Sequence, residues 1–321
     1  MSDLRQTWLP RLGASAALIA LVLAGLMYPS HRAAAAGDPV IAAAGDIACD
    51  PADSAFNGGN GTARRCHEVN TSDLLQTGVA DGTINAVLAL GDTQYNCGGA
   101  AAFQQSYDPS WGRVESVTYP VIGNHEYSTR GGTGCSSGGA GYFGYFGSVA
   151  AGPDGYYSFD IGAWHLIALN ANCSFVACKA GSAQETWLRN DLAAHPAACT
   201  LAFWHQPRFA AGPTTVAKYL PFWNDLYAAH ADVVLNGHKH NYQRLTKLNP
   251  SGNPDANGIR EIIVGTGGMS HSLSGALFPG TQASDGTHFG ILKVTLHQTS
   301  YEWSFVSDVG AVLDSGSEAC V

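Results

Sequence analysis

The chain has 321 residues, of which 45% are apolar and 13% are charged, and its formal net charge is −9. This length and this apolar content are sufficient for a large hydrophobic core. The acidic balance, with only five lysines, argues against nucleic-acid binding by neutralisation of backbone phosphates.

Residues 1–36 have the composition of a secretory signal peptide. Arg5 and Arg11 precede an apolar run at residues 12–28, and a group of alanines after it offers cleavage sites. An uncleaved membrane anchor is the alternative, but the run is shorter than the roughly 20 residues that a spanning helix needs. We therefore predict a secreted, extracellular protein in which residues 37–321 form a single domain with no membrane contact after cleavage.

Eight cysteines lie beyond this segment, and their even number in an exported chain predicts disulfide bonds. The absence of any C-x-x-C pair argues against a zinc ribbon or a thioredoxin-type site. Cys173 and Cys178 are separated by a short loop, so we predict that they pair with each other. The spacings leave the other pairings open.

Five short apolar runs predict buried strands, and each run ends in a turn followed by a residue type that binds metals. The runs cover residues 39–44, 84–90, 117–122, 200–204 and 232–235. The polar residues beyond them are Asp46, Asp92, Asn124, His205 and His238. Tyr95 and His240 follow shortly after the second and fifth of these. One such position would be weak evidence, because Gly and Asp also favour ordinary turns, but five in one chain indicate a shared site.

Helical spacing of apolar residues separates several of these strands. It predicts helices over residues 68–79, 184–195 and 216–230, with Thr71 and Ser72 as candidate caps of the first. Further strands are predicted at residues 156–160, 164–170, 260–264, 288–296 and 301–306. Residues 130–147 are rich in Gly, Ser and aromatic residues and predict a long loop. Alternating helices and continuously apolar strands are typical of an α/β fold whose sheets are covered by helices.

The residue types in the five turns limit the chemistry of the site. Ligands in open α/β sheets gather at the carboxyl ends of strands, where these side chains are expected to meet. Mixed carboxylate, imidazole and amide ligands suit Zn, Fe or Mn and fit Ca poorly, because Ca prefers oxygen ligands. Seven candidate ligands are too many for one tetrahedral Zn, whereas two metals that share a carboxylate would use them all.

The five turns carry motifs that resemble those of the calcineurin-like metallophosphoesterases. The motifs are GD (45–46), GDTQY (91–95), GNHE (123–126), FWHQP (203–207) and GHKH (237–240). The tyrosine of GDTQY and the longer ending GHKHNYQR are similar to the purple acid phosphatase branch. Many members have GDxG or GDxH in the first turn, whereas Ala48 brings no side-chain ligand there.

The resemblance implies a four-layer α/β/β/α sandwich of two mixed β-sheets flanked by helices, with the metal site at the strand carboxyl ends. It implies that a first metal is bound by Asp46, Asp92, Tyr95 and His240. A second metal would be bound by Asp92, Asn124, His205 and His238, with Asp92 bridging the two. A phenolate ligand at Tyr95 favours Fe(III) at the first position, and the second ion would be Fe, Zn or Mn.

Such a centre would make the protein a secreted phosphoester hydrolase, a phosphomonoesterase, that activates water for in-line attack on a small phosphorylated substrate. His125 is the candidate general acid for the leaving group, because it is adjacent to the expected ligand Asn124. The alternative role for His125 is only to orient Asn124.

Two rival functions are also consistent with the sequence. A phosphodiesterase or nucleotidase would use the same two metals, because substrate choice depends on loops such as residues 130–147. A non-catalytic metal-binding protein with the same fold would be expected to have lost a ligand or His125, and none is missing.

Other polar residues near the turns are expected to support the site or line its pocket rather than bind metal. Tyr242 and Arg244 are expected to support the histidine loop rather than touch substrate. Lys239 is expected to face away from the metals, because alternate residues of an extended segment point in opposite directions. Weaker candidates for lining the pocket are His271, His288 and Arg208.

Overall fold

Two mixed β-sheets dominate the computed structural model, which describes residues 37–212 and 216–321. The predicted signal peptide lies outside the described residues. The strands are β1 (Val40–Ala44), β2 (Ala86–Ala89), β3 (Thr118–Pro120), β4 (Tyr157–Ile161), β5 (Trp164–Ala168), β6 (Cys199–Phe203), β7 (Val233–Asn236), β8 (Tyr242–Leu248), β9 (Ile259–Val264), β10 (Thr281–Asp285), β11 (Gly290–Leu296), β12 (Ser300–Ser307) and β13 (Val312–Ala319).

The helices connect these strands and are mostly short. They are α1 (Glu68–Ala80), α2 (Ala100–Ala102), α3 (Ala140–Phe146), α4 (Ala183–Ala194) and α5 (Leu220–Ala228). Short segments of 3₁₀ or π geometry lie at Asn57–Gly59, Phe103–Tyr107, Trp111–Val117, Gly147–Ala150 and Ala217–Tyr219. No helix in the described part of the chain is both long and apolar enough to cross a membrane.

The first sheet has the strand order β13-β12-β11-β1-β2-β3. Its three early strands β1, β2 and β3 run parallel, and β11 pairs antiparallel with β1. The second sheet has the order β10-β8-β9-β7-β6-β5-β4, with β5, β6, β7 and β9 parallel. Each sheet therefore contains a block of parallel strands, which forms one side of the first sheet and the centre of the second. The carboxyl ends of the strands in each block lie together.

Alternate residues along the central strands enter two different cores. In β6, Leu201 and Phe203 belong to the core between the two sheets, whereas Ala202 packs into a second core beneath α4 and α5. This alternation follows the two-residue period of a strand, and burial on both faces accounts for the continuous apolar runs in the sequence.

Helices cover the outer faces of both sheets. Leu75 of α1 and Trp111 pack against the first sheet, while Leu188 of α4 and Trp223 of α5 pack against the second. These layers confirm the predicted α/β sandwich of two mixed sheets flanked by helices.

Several local predictions are wrong for identifiable reasons. Thr71 and Ser72 lie inside α1 rather than capping it, and their hydroxyls donate to the carbonyls of Gly267 and Ser110. Within the predicted loop at residues 130–147, α3 forms because its aromatic side chains are buried. Strands β8, β10 and β13 were not predicted.

Four disulfides join all eight cysteines, and the predicted Cys173–Cys178 pair is confirmed. The others are Cys49–Cys66, Cys97–Cys135 and Cys199–Cys320. The last closes the longest loop, since its cysteines are 121 residues apart, and it ties the chain beyond β13 to β6.

Candidate metal centre

The carboxyl ends of the parallel strands bring the predicted ligands together from both sheets. Asp46 follows β1 and Asp92 follows β2 in the first sheet, whereas His205 follows β6 and His238 follows β7 in the second. Three of these residues have positive φ, with values of 59° at Asp46, 45° at Asp92 and 67° at His238. Non-glycine residues in this region cost on the order of 1–3 kcal/mol each, so neighbouring contacts must hold the turns in place.

Each aspartate uses one carboxylate oxygen as an anchor and directs the other into the site. Asp46 Oδ2 accepts the backbone N–H of His238 at 2.6 Å, and Asp92 Oδ1 accepts that of His125 at 2.8 Å. The remaining oxygens, Asp46 Oδ1 and Asp92 Oδ2, lie 2.8 and 3.1 Å from the Tyr95 hydroxyl. The two carboxylates are therefore fixed in orientation, and each has an oxygen available to a cation.

The hydroxyl of Tyr95 is the centre of a first group of donor atoms. It lies 3.0 Å from His240 Nε2, which is itself 3.1 Å from Asp46 Oδ1. The other ring nitrogen of His240 is 2.5 Å from the hydroxyl oxygen of Ser270. This contact orients the imidazole so that Nε2 faces the two carboxylates.

A second group of donor atoms forms on the other side of Asp92. Its ligand atom and those of His205 and His238 all lie within 4.8 Å of one another. The Nδ1–H of His205 donates to the Leu90 carbonyl at 2.8 Å, which leaves Nε2 as the lone-pair nitrogen, 3.0 Å from Asp92 Oδ2. Asp92 Oδ2 thus belongs to both groups.

Asn124 lies at the margin of this second group. Its Oδ1 accepts a hydrogen bond from Gln206 Nε2 at 3.3 Å, and the same amide donates to Asn172 at 3.1 Å. The backbone N–H of the next residue, His125, is the one that binds Asp92. Asn124 is therefore tied to the turns that carry Asp92 and His205.

His125 directs one ring nitrogen towards the site and solvent. Its Nδ1 lies 2.8 Å from the Asn96 carbonyl, which can only accept, so Nδ1 carries a proton. Its Nε2 is 3.9 Å from Asp92 Oδ2, and its ring packs 4.2 Å from that of Tyr95. A third of the His125 side chain is exposed to solvent.

Glycines in the motifs leave space for the ligand side chains. A Cβ on Gly123 would overlap the backbone and carboxylate of Asp92, and one on Gly237 would lie 2.8 Å from Asp46 Oδ2. Replacement of either glycine by alanine would therefore displace a carboxylate from the centre.

Burial and neighbouring charges shift the pKa values of several side chains in the site. Burial raises the pKa of the Tyr95 hydroxyl well above its ordinary value, and the carboxylates of Asp46 and Asp92 raise it further. Burial opposes protonation of His205, but Asp92 raises the pKa of that imidazole to about 9. Burial lowers the pKa of His238 to about 4, with His205 adding to the effect. Bound cations would reverse this balance at Tyr95 by favouring the phenolate.

The donor set fits transition-metal ions. Carboxylate, imidazole and phenol groups converge, and Nε2 of the fully buried His205 has no hydrogen-bond partner of acceptable geometry among the described residues. Ligands of this kind suit Fe, Zn or Mn better than Ca. Asp92 Oδ2 contacts the donor atoms of both groups.

Supporting residues were harder to identify from the sequence. Glu126 accepts hydrogen bonds from Thr93 and from the backbone N–H groups of Gln94 and Gly123, at 2.8–3.1 Å, and so joins two ligand turns. Its position at the end of the GNHE motif could have identified Glu126 from the sequence. Ser270 carried no such signal, because its contact with His240 depends on how distant loops pack.

The weaker pocket candidates have structural partners elsewhere. The ring nitrogens of His271 face backbone carbonyls, His288 binds Asp285, and Arg208 donates to two carbonyls. Tyr242 and Arg244 both bind Asp314 of β13. These contacts stabilise loops and strand packing.

Lys239 lies in a turn, because His238 has a positive φ, and the two residues line the same cavity. The other six candidate ligands do not line that cavity. The expectation that Lys239 faces away from the metals stays a prediction.

Comparison with known proteins was consistent with this geometry. The family model for the calcineurin-like phosphoesterase domain matches residues 40–242. Purple acid phosphatase 15 of Arabidopsis thaliana is 27% identical over 194 residues, covering 53% of this chain and 34% of the relative. Purple acid phosphatase 18 of the same plant is 30% identical over 129 residues, covering 37% and 28% respectively. The chain thus spans about a third or less of these curated relatives.

A solved structure gives the same result for the fold. A purple acid phosphatase from yellow lupin seeds superposes with a TM-score of 0.65 and 18% identity. The superposition covers 88% of this chain and 53% of the lupin chain. At this identity the likeness concerns the fold alone.

Proposed function

This chain belongs to the calcineurin-like phosphoesterase family, and from that premise we propose that it is a secreted, metal-dependent phosphomonoesterase of the purple acid phosphatase type. The observation that carries the proposal is the position of Asp92 Oδ2, which contacts both the Tyr95 hydroxyl and the His205 imidazole. One carboxylate oxygen in two donor groups is what a bridging ligand between two cations requires.

Each donor group would hold one ion. Asp46, Tyr95 and His240 would bind the first with Asp92, and the phenol favours Fe(III) there. The second, an Fe, Zn or Mn ion, would be bound by Asp92, Asn124, His205 and His238. When bound, two such ions supply Lewis acidity towards phosphoryl oxygens and lower the pKa of a water molecule.

The protein residues supply orientation and a proton. The backbone N–H groups of His238 and His125 hold the two aspartates, so the donor atoms need no rearrangement when substrate binds. The Asn96 carbonyl keeps the Nδ1 proton of His125 in place. In the imidazolium form, which has a proton on each ring nitrogen, Nε2–H would donate its proton to the departing alkoxide oxygen and leave a neutral ring protonated on Nδ1.

Secretion and domain organisation complete the proposal. Four disulfides agree with an oxidising compartment, and the described chain from Asp38 to Val321 clusters as one compact unit. We infer that residues 1–36 direct export and that residues 37–321 act as a single catalytic domain.

Metal analysis combined with a paired assay tests the function. The full chain should contain two metal ions and hydrolyse p-nitrophenyl phosphate faster than bis(p-nitrophenyl) phosphate. Faster hydrolysis of the diester would replace the proposal with a phosphodiesterase. Two bound metals without hydrolysis of either ester, from acid to neutral pH, would indicate a metal-binding protein instead.

A further inference from the structure

Lysines are concentrated on one side of the candidate metal centre. The chain has only five lysines and a net charge of −9, yet Lys179, Lys218 and Lys239 line two adjoining cavities. The first cavity also contains the candidate metal ligand His238. Positive side chains are thus grouped beside the place where a phosphate would bind.

The first cavity has a volume of about 220 Å³ and a mixed lining. Lys239 and Lys218 contribute its positive charges, Gln206 a polar amide, and Tyr219 an aromatic ring. A second cavity of about 320 Å³ shares Lys218 and continues to Lys179. The volume is sufficient for a small anionic group next to the metal centre.

The lysines of these cavities have no competing carboxylate. Within residues 37–212 and 216–321, no lysine forms an ion pair. In contrast, five arginines do so, namely Arg65, Arg113, Arg189, Arg244 and Arg260. The ammonium groups of Lys218 and Lys239 are therefore available to an incoming anion.

The backbone around Lys239 is closely fixed. Its N–H donates to the Gly237 carbonyl at 2.8 Å, and its own carbonyl accepts the N–H of Asn241 at 2.6 Å. A Cβ on Gly265 would overlap that carbonyl, so the turn fits against the next strand end. Lys218 packs its ammonium 5.0 Å from the ring centroid of Tyr219. The backbone of Lys239 and the ammonium group of Lys218 therefore have defined positions beside the cavity.

We propose that this cavity binds a second anionic group of the substrate, a phosphate or a carboxylate, through Lys218 and Lys239. The preferred substrates are then phosphate esters that carry a further negative charge a few atoms from the scissile phosphate. The inference rests on the proposed hydrolase function and names its substrate class. An uncharged alkyl chain would leave both ammonium groups without an anionic partner.

The test compares propyl phosphate with two analogues of the same length, propane-1,3-diyl bisphosphate and 3-(phosphonooxy)propanoate. We expect kcat/KM to be about tenfold to a hundredfold higher for at least one analogue, mainly through a lower KM, as charge-assisted hydrogen bonds would give. This exceeds the twofold advantage that two equivalent phosphates give the bisphosphate. The analogue that is preferred identifies the anion.

Substitution of the lysines locates the effect. In the Lys218→Met and Lys239→Met double variant, the ratio of kcat/KM between analogue and propyl phosphate should fall to about two for the bisphosphate, which has two equivalent phosphates. For the carboxylate analogue the ratio should fall to about one. Lys293→Met, on β11 in the first sheet, is the matched control and should keep the wild-type ratio.

Two results would overturn the inference. One is a wild-type enzyme that hydrolyses propyl phosphate but shows no preference for either analogue, and the other is a preference that persists in the double variant. An enzyme that hydrolyses none of the three esters would instead contradict the proposed function itself.

Discussion

The backbone N–H of His238 donates to Asp46 Oδ2 over 2.6 Å, and this hydrogen bond joins the turn after β7 in the second sheet to the turn after β1 in the first. The same carboxylate directs its other oxygen to Tyr95. Asp46 therefore fixes the spacing between the two sheets at the site while presenting a ligand atom. Asp92 accepts the N–H of His125 within the first sheet and directs its other oxygen to His205 of the second, so the two aspartates are the most informative residues to change.

Asp92→Asn should remove the carboxylate that the two metals share, and with it at least one of the ions, without unfolding the protein. Asparagine tolerates the positive φ of 45° and its amide oxygen can still accept the N–H of His125. We expect a melting temperature within a few degrees of wild type, at most one metal ion per chain and almost no hydrolysis. Asp73→Asn, at an exposed ion pair in α1, is the control and should keep both ions. Two retained ions in Asp92→Asn would exclude a bridging role.

Tyr95→Phe should remove a visible absorption band if Fe(III) occupies the first position. The ring would still pack against His125, so the change removes only the hydroxyl that contacts Asp46 and Asp92. The visible spectrum and the metal content of the purified protein give the result. Tyr142→Phe, whose buried hydroxyl has no partner among the described residues, should keep the band. Two zinc ions and a colourless wild-type protein would refute the iron assignment.

His125→Ala should keep both metals and lose about 10²–10⁴-fold of kcat on alkyl phosphates, the range expected for a general acid. Aryl phosphates with good leaving groups need less protonation and should lose much less. His288→Ala removes another part-exposed histidine and serves as the control for both substrates. An equal loss on alkyl and aryl substrates would show that His125 only orients Asn124.

His165 should make the stability of the fold depend on pH. Its ring nitrogens lie 2.7 Å from Asp160 and 2.9 Å from Asp191, and although burial opposes protonation, these carboxylates raise its pKa above the ordinary 6.5. The resulting stabilisation is fully present below pH 6.5 and is lost as the pH rises through the raised pKa.

The comparison with His165→Gln isolates this effect. At mildly acidic pH, urea unfolding should show wild type to be more stable by about 1.5–3 kcal/mol, as for hydrogen bonds to charged groups. The difference should narrow as the pH is raised. A difference that stays constant with pH would mean that His165 contributes only by packing.

The Cys199–Cys320 disulfide should contribute more stability than Cys173–Cys178. Chain-entropy arguments give about 5 kcal/mol for a loop of 121 residues and about 2 kcal/mol for one of 5 residues. We therefore expect the Cys199→Ser and Cys320→Ser double variant to have the lower urea midpoint of the two matched double variants. Equal midpoints would show that residual structure in the unfolded chain offsets the entropy term.

The sequence predicted those parts of the fold whose residues are buried on both sides. β6 and β7 read as continuous apolar runs because both faces of each strand are covered, and the ligand turns could be recognised at their ends. β10 and β13 alternate between partly and fully exposed residues, and their polar sequences TQASD and VLDSGSEA give no apolar pattern. Their pairing depends on distant partners.

Within the site, residue types were predictable but directions were not. The motifs named the seven candidate ligands, whereas the contact of Ser270 with His240 arises from packing between loops. The turn that carries His238 and Lys239 depends on one backbone angle, the positive φ of His238, which no pattern of residue types encodes. Such angles are set only once both sheets are in place.

The division of the donor atoms between two sheets links cation affinity to the packing of the whole core. Asp46, Asp92 and Tyr95 come from the first sheet, and His205, His238 and His240 come from the second. Neither half would bind an ion tightly alone, so ion binding and docking of the sheets share one free energy. A substitution that leaves a cavity between the sheets, far from any candidate ligand, would therefore weaken metal affinity. Conversely, removal of the ions by a chelator would weaken the packing between the sheets even at positions that have no metal ligand.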